Sequence, residues 1–178
     1  RASRGLAGPY NRQTSALSRS PVPIQTRDVL SFSGRDYVVE GTATYRVAGK
    51  VQVFARAMDG EIVAWFESPL DGEGTSAERL LVLHEIRDLD LTVPPPESIS
   101  YHRLTYVQRL HARATIETSG NVPERNDGAV QMWRYRAAGD LMLQIEEGSG
   151  RVFMLAGESV HRGMIEHLPG KPGSESGR

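Results

Sequence analysis

Between Phe32 and Val47 the chain changes face at every step. A turn at Ser33-Gly34 leads into the β-branched run Tyr37-Val38-Val39. After a break at Gly41, Thr42, Thr44 and Arg46 alternate with Ala43, Tyr45 and Val47. A period of two puts alternate side chains on opposite faces of a strand, so this stretch predicts two strands joined at a tight turn. Ala48-Gly49-Lys50 turns the chain into Val51–Ala57, and Asp59-Gly60 separates that run from Ile62–Glu67. An Asp-Gly pair between β-branched and aromatic runs is a hairpin signal, because glycine supplies the positive φ that such turns need. The next stretch, 76–90, has two readings. Thr75-x-x-Glu78 has the form of a helix capping box, whereas Leu80–Leu83 reads as a buried strand between charged ends. We take it as a strand. Pro94-Pro95-Pro96 then makes an extended spacer that neither a helix nor a central strand can cross.

Beyond the prolines the pattern returns. Phe32 and Tyr37 are spaced as Tyr101 and Tyr106 are, Arg79–Leu83 finds a counterpart in Arg151–Leu155, and Val51–Ala57 before Asp59 is matched to Met132–Ala138 before Asp140. Leu104 to Ala114 fits both a three-to-four spacing and strict alternation, and the repeat decides for strand. Asn121–Gly128 is a polar loop, Val130–Glu146 a hairpin turning near Gly139-Asp140, and Gly148-Ser149-Gly150 leads into a strand over Arg151–Ala156. The expected fold is all-β: two similar antiparallel units, 28–93 and 94–168, form a compact sandwich or barrel-like body between a basic arm, 1–27, and a tail, 169–178.

Composition adds an asymmetry. The 178 residues carry a formal net charge of −1, yet residues 1–27 hold five arginines and no acid, so a basic arm precedes an acidic body. The arm contains Gly5, Gly8, Pro9, Pro21 and Pro23 and no apolar periodicity, and such a segment does not fold alone. It becomes ordered only when something ties it down. With little to offer a core of its own, it is expected to lie along a partner through Arg1, Arg4, Tyr10, Arg12, Arg19 and Arg27, on an acidic protein surface or an anionic lipid surface. Five dispersed charges with one aromatic ahead of an acidic body argue against nucleic acid. The first residue is Arg1 and not methionine, so further residues are expected upstream. No window approaches the ~18 consecutive apolar residues of a spanning helix. No cysteine is present, which excludes disulfides, thiolate metal sites and a cysteine nucleophile.

Candidate chemistry is sparse. No two of His84, His102, His111, His161 and His167 stand at i, i+2 or i, i+4, the spacing that would put two imidazoles on one strand or helix face with a carboxylate. Only His161 and His167, with Glu158 and Glu166, are close enough in sequence to meet if the last strand folds back. Gly148-Ser149-Gly150 is too short for a nucleophile elbow, and Trp65 and Trp133 read as core aromatics. No catalytic, metal or cofactor-binding residue is expected.

The order Asp28, Phe32, Gly34, Tyr37, Gly41, Tyr45, then Trp65-Phe66-Glu67, Asp88-Leu89-Asp90, Tyr101, Tyr106, Ala114, Gly120, Met132-Trp133-x-Tyr135, Glu146 and Gly157-Glu158 resembles the Domain of Unknown Function 4178 family from about Asp28 to Leu168. The resemblance implies a two-unit, mostly antiparallel β fold and transfers no catalytic residue. Members of that family resemble accessory proteins, some linked to membrane-associated systems. The sequence departs where a Trp-x-Glu-Tyr strand is expected and Val51-Gln52-Val53-Phe54 stands instead. The functional expectation is a non-enzymatic accessory subunit, in the cytoplasm or peripheral on the cytoplasmic face of a membrane. Its partner would be a larger membrane-associated bioenergetic complex, for instance a photosynthetic reaction-centre and antenna complex. The alternative is a small-ligand or peptide-binding module using a cleft between the halves near Trp65 or Trp133.

Overall fold

A computed structural model describes residues 24–68 and 78–170. Eleven strands appear there: β1 Val29–Phe32, β2 Arg35–Val47, β3 Lys50–Asp59, β4 Ile62–Ser68, β5 Arg79–Glu85, β6 Ser98–Tyr101, β7 Leu104–Gly120, β8 Gly128–Arg136, β9 Leu141–Gly148, β10 Arg151–His161 and β11 Glu166–Leu168. Every ladder is antiparallel. Sheet order runs β11-β1-β2-β3-β4-β5-β10-β9-β8-β7-β6, and a further β2–β7 ladder brings the sheet back onto itself. Eight strands, β2 to β5 and β7 to β10, therefore close a barrel, and β1, β11 and β6 lie outside it. Closure removes the open edges that a flat sheet of this width would expose.

The turns show why the sequence folds this way locally. Ser33-Gly34, Ala48-Gly49 and Ser149-Gly150 each take positive φ at both residues, as do His102 and Arg103, the conformation that matches the twist of a two-residue hairpin. Leu80–Leu83 and Leu104–Ala114, the two stretches whose spacing also admitted a helix, both form strands. In each case tertiary pairing on both sides outweighs local helix propensity.

The halves correspond strand for strand, β1–β5 with β6–β10. One residue is inserted at the same place in each long strand: the β2–β3 register shifts between Val39 and Gly41, the β7–β8 register between Gln108 and Leu110. Beyond these bulges Arg56 faces Gly41 as Arg134 faces Leu110. Arg56 thus matches Arg134, which corrects the sequence alignment of Val51–Ala57 with Met132–Ala138 by three residues. The Tyr37/Tyr106 match agrees with the bulges, and the Leu83/Leu155 match with the pairing of Trp65 to Leu83 and of Gln144 to Leu155.

Three cores result. The barrel interior holds Tyr45, Phe54, Trp65, Leu83, Ile116, Met132 and Leu155. The β1–β2 hairpin folds over the outer face of its own unit, where Leu30, Tyr37 and Val39 meet Ala57, Phe66 and Val82. The β6–β7 hairpin does the same with Ile99 and Tyr106 over Tyr135, Leu143 and Ile145. Strands buried on both faces explain why β4, β5 and β9 read as near-continuous apolar runs instead of alternating. Trp65 and Trp133 are both buried, but they occupy different cores, one inside the barrel and one outside it.

Candidate functional site

Along the barrel interior runs a polar chain set among apolar walls. Glu67 accepts from the Leu81 backbone N–H at 3.1 Å and from Gln52 Nε2 at 2.6 Å. Arg134 donates to Gln52 Oε1 and, at 2.6 Å, to Gln144 Oε1. Gln144 donates to Glu146, which also accepts from the Tyr45 hydroxyl at 3.1 Å and from Arg125 Nη1. Period two delivers these groups: Trp65 and Glu67 on β4, and Gln144 and Glu146 on β9, point inward, while Phe66 and Ile145 point to the outer cores. Arg125 enters differently, from the loop between β7 and β8.

Burial sets the electrostatics of this chain. It pushes Arg125 and Arg134 below the usual arginine range and raises the Tyr45 hydroxyl, against the pull of both arginines on the phenol. The chain is formally balanced, two arginines against Glu67 and Glu146, as buried charges must be. The Arg125 guanidinium carbon lies 3.7 Å from the Phe153 ring centroid and 5.1 Å from that of Trp65. Arg125 Nε, Arg125 Nη2 and Trp65 Nε1 are buried without a hydrogen-bond partner among the described residues. Arg125 also lines a cavity of about 50 Å³, with Glu146, Gly128, Ser149, Arg151 and Phe153 among the other lining residues.

A second cluster joins the two ends of the described chain. Asp28, buried, accepts from the Gln25 and Gly170 backbone N–H groups, both at 2.8 Å, and its Oδ2 is 2.6 Å from His167 Nε2. Burial alone would raise the Asp28 carboxyl, but these bonds outweigh it and hold the group below its ordinary value. β11 pairs with β1 there, so Leu168, Val29 and Val38 form one row across three strands. Leu168 and Val38 are 49% and 46% exposed, and β11 is an end strand of the sheet.

Of the six arm residues singled out from sequence, Arg1, Arg4, Tyr10, Arg12 and Arg19 lie outside the described residues, as does the tail beyond Gly170. Arg27 is exposed, with φ of 76°, and donates its backbone N–H to Val39 O at 2.7 Å. It sits at the Asp28 corner. His161 and His167 do not converge: His161 Nδ1 accepts from the Gly163 N–H, and His167 meets Asp28. Among the described residues no group of three or more His, Asp or Glu could hold a metal ion, and no helix is long and apolar enough to cross a membrane. Sequence reasoning passed over Arg125, a lone arginine in a polar loop. The legible signal was on its partner Glu146 and on Gln144, which bonds to it: Gln144 interrupts the apolar run Leu141–Ile145 on β9 and Glu146 ends it.

A family model described as a domain of unknown function, DUF4178, matches residues 25–162. No curated protein and no solved structure matches the chain.

Proposed function

This chain belongs to the DUF4178 family, and from that premise we propose that it is a non-enzymatic accessory subunit that docks on a larger, membrane-associated assembly. The observation that carries the proposal is the Asp28 corner. One site on the barrel gathers the root of the basic arm, the root of the tail, an apolar row and a strand edge that is unpaired among the described residues. An open edge offers backbone donors and acceptors to an extended segment of a partner, with the row Leu168–Val29–Val38 supplying side-chain contact. The arm that starts from this corner carries five arginines and no acid in residues 1–27, which favours an acidic or anionic docking surface. A bioenergetic complex, first among them a photosynthetic reaction-centre and antenna complex, is the assembly to test.

The test is retention on the native assembly after gentle fractionation of membranes. Removing residues 1–23, or introducing Leu168→Lys with Val38→Lys, should release the protein into the unbound fraction while its circular dichroism stays that of a β fold. Full retention of both variants would overturn the proposal.

A further inference from the structure

Two arginines of this molecule bring the same edge of the guanidinium to bear, and only one finds a partner there. Arg56 presents Nε and Nη2 side-on to Glu124, at 2.7 and 2.5 Å. This is the two-pronged geometry that fits the two oxygens of a carboxylate. In Arg125 the corresponding Nε and Nη2 atoms are buried and have no hydrogen-bond partner among the described residues, Nη1 alone being engaged with Glu146. The whole residue is only 7% exposed. Leaving two donors of a buried cation unmet is costly, more so than for a neutral group, and the third orphan donor, Trp65 Nε1, belongs to a ring beside the same guanidinium.

From this geometry, going beyond the docking role, we propose that the mouth of the barrel is a receptor for the carboxylate of a small organic acid, gripped side-on by Arg125 Nε and Nη2 once the guanidinium turns toward the cavity that the residue lines. Three further observations shape the ligand. The cavity beside Arg125 measures about 50 Å³. At roughly 10–15 Å³ per water-sized position, that admits a carboxylate with one or two carbons. Phe153, stacked 3.7 Å from the guanidinium carbon, gives those carbons an apolar wall. Arg151 lines the same cavity and forms no ion pair among the described residues, so it supplies the second positive charge that an acid entering beside Glu146 needs. Access is at hand, because Glu124, Arg151 and Phe153 also line an open groove of about 360 Å³.

The experiment uses the full chain. In the wild-type protein the Arg125 side-chain Nε–H resonance is followed while acetate or propanoate is added at constant ionic strength, with chloride and acetamide as controls. A Trp133→Phe variant, in which Trp65 is the sole tryptophan, gives a parallel fluorescence reading. The expected result is a saturable shift of both signals with the two carboxylates and none with the controls. Arg125→Lys keeps the charge and loses the fork, and it should weaken binding at least tenfold. An Arg125 signal that stays put, an equal response to acetamide or chloride, or undiminished binding by Arg125→Lys would each overturn the assignment. The first outcome needs no variant to fold.

Discussion

Arg56 shows how much a single side chain carries. Its guanidinium, 5% exposed, bridges Glu40 at 2.5 Å and Glu124, tying the bulge of β2 to the loop that carries Arg125. Removing one partner of a buried ion pair strands the others, so Arg56→Met should lower stability by about 3 kcal/mol, read as a fall in the urea midpoint. The linked carboxylates give a pH signature. For Glu124, burial alone would raise the carboxyl, but Arg56 outweighs that and the net shift is downward; Asp28 is also lowered, through Gln25, Gly170 and His167. A depressed folded value contributes stability that is complete above the unfolded pKa, about 4.3 for Glu and 3.9 for Asp. That contribution is lost as pH falls through the folded value. The stability gap between wild type and either Glu124→Gln or Asp28→Asn should therefore be widest at neutral pH and close as pH drops below about 4. A gap independent of pH would refute this account. Apart from Gln25, three residues before Asp28, these partners were not legible in the sequence. The pairings of Arg56 with Glu40 and Glu124 and of Asp28 with His167 and Gly170 join separate strands and loops and leave no local spacing to read.

Strands, by contrast, were largely legible, since turn chemistry and alternation are local. What the pattern did not reveal is where the strands close. Both closing seams depend on glycines that the family resemblance had already singled out. At the β2–β7 seam Gly41 faces Gly120; a Cβ on Gly41 would come within 2.6 Å of the Ser119 carbonyl oxygen, and one on Gly120 within 2.6 Å of that of Glu40. At the β5–β10 seam Gly157 faces Leu83, and a Cβ there would fall on the Val82 carbonyl. Backbone cannot yield as a flexible side chain can. Gly157→Ala should cost about 2–3 kcal/mol, as overpacking of a tight interior does, and faster amide exchange should appear along β5 and β10 before the rest of the barrel. A substitution that left exchange unchanged would mean the seam has slack.

For the whole molecule, each unit supplies half of the wall around a shared interior. Neither half encloses that interior alone: β2 to β5 without β7 to β10 would present two raw edges and a split core. Fragments cut after Pro95 should each give poorly dispersed amide spectra when alone and a native-like spectrum when produced together. A well-dispersed spectrum from either fragment alone would contradict this. The duplication was legible in the spacing of Phe32 and Tyr37 against Tyr101 and Tyr106. Its correct register for β3 and β8 was not, because only the bulges reveal it.

Both seams read the same in either direction. Leu83 lies opposite Gly157 while its counterpart Leu155 lies opposite Glu85, and Tyr45 opposes Ile116 as Val47 opposes Ala114. A polypeptide of one unit, meeting a twin of itself through those two ladders, would shut the same cylinder. A homodimer of such units, copied in tandem and joined through the prolines, would give the arrangement seen in this chain. In a fused pair the two copies can differ, as they do here, where Trp65 stands opposite Arg56 and Gln144 takes the equivalent position opposite Arg134.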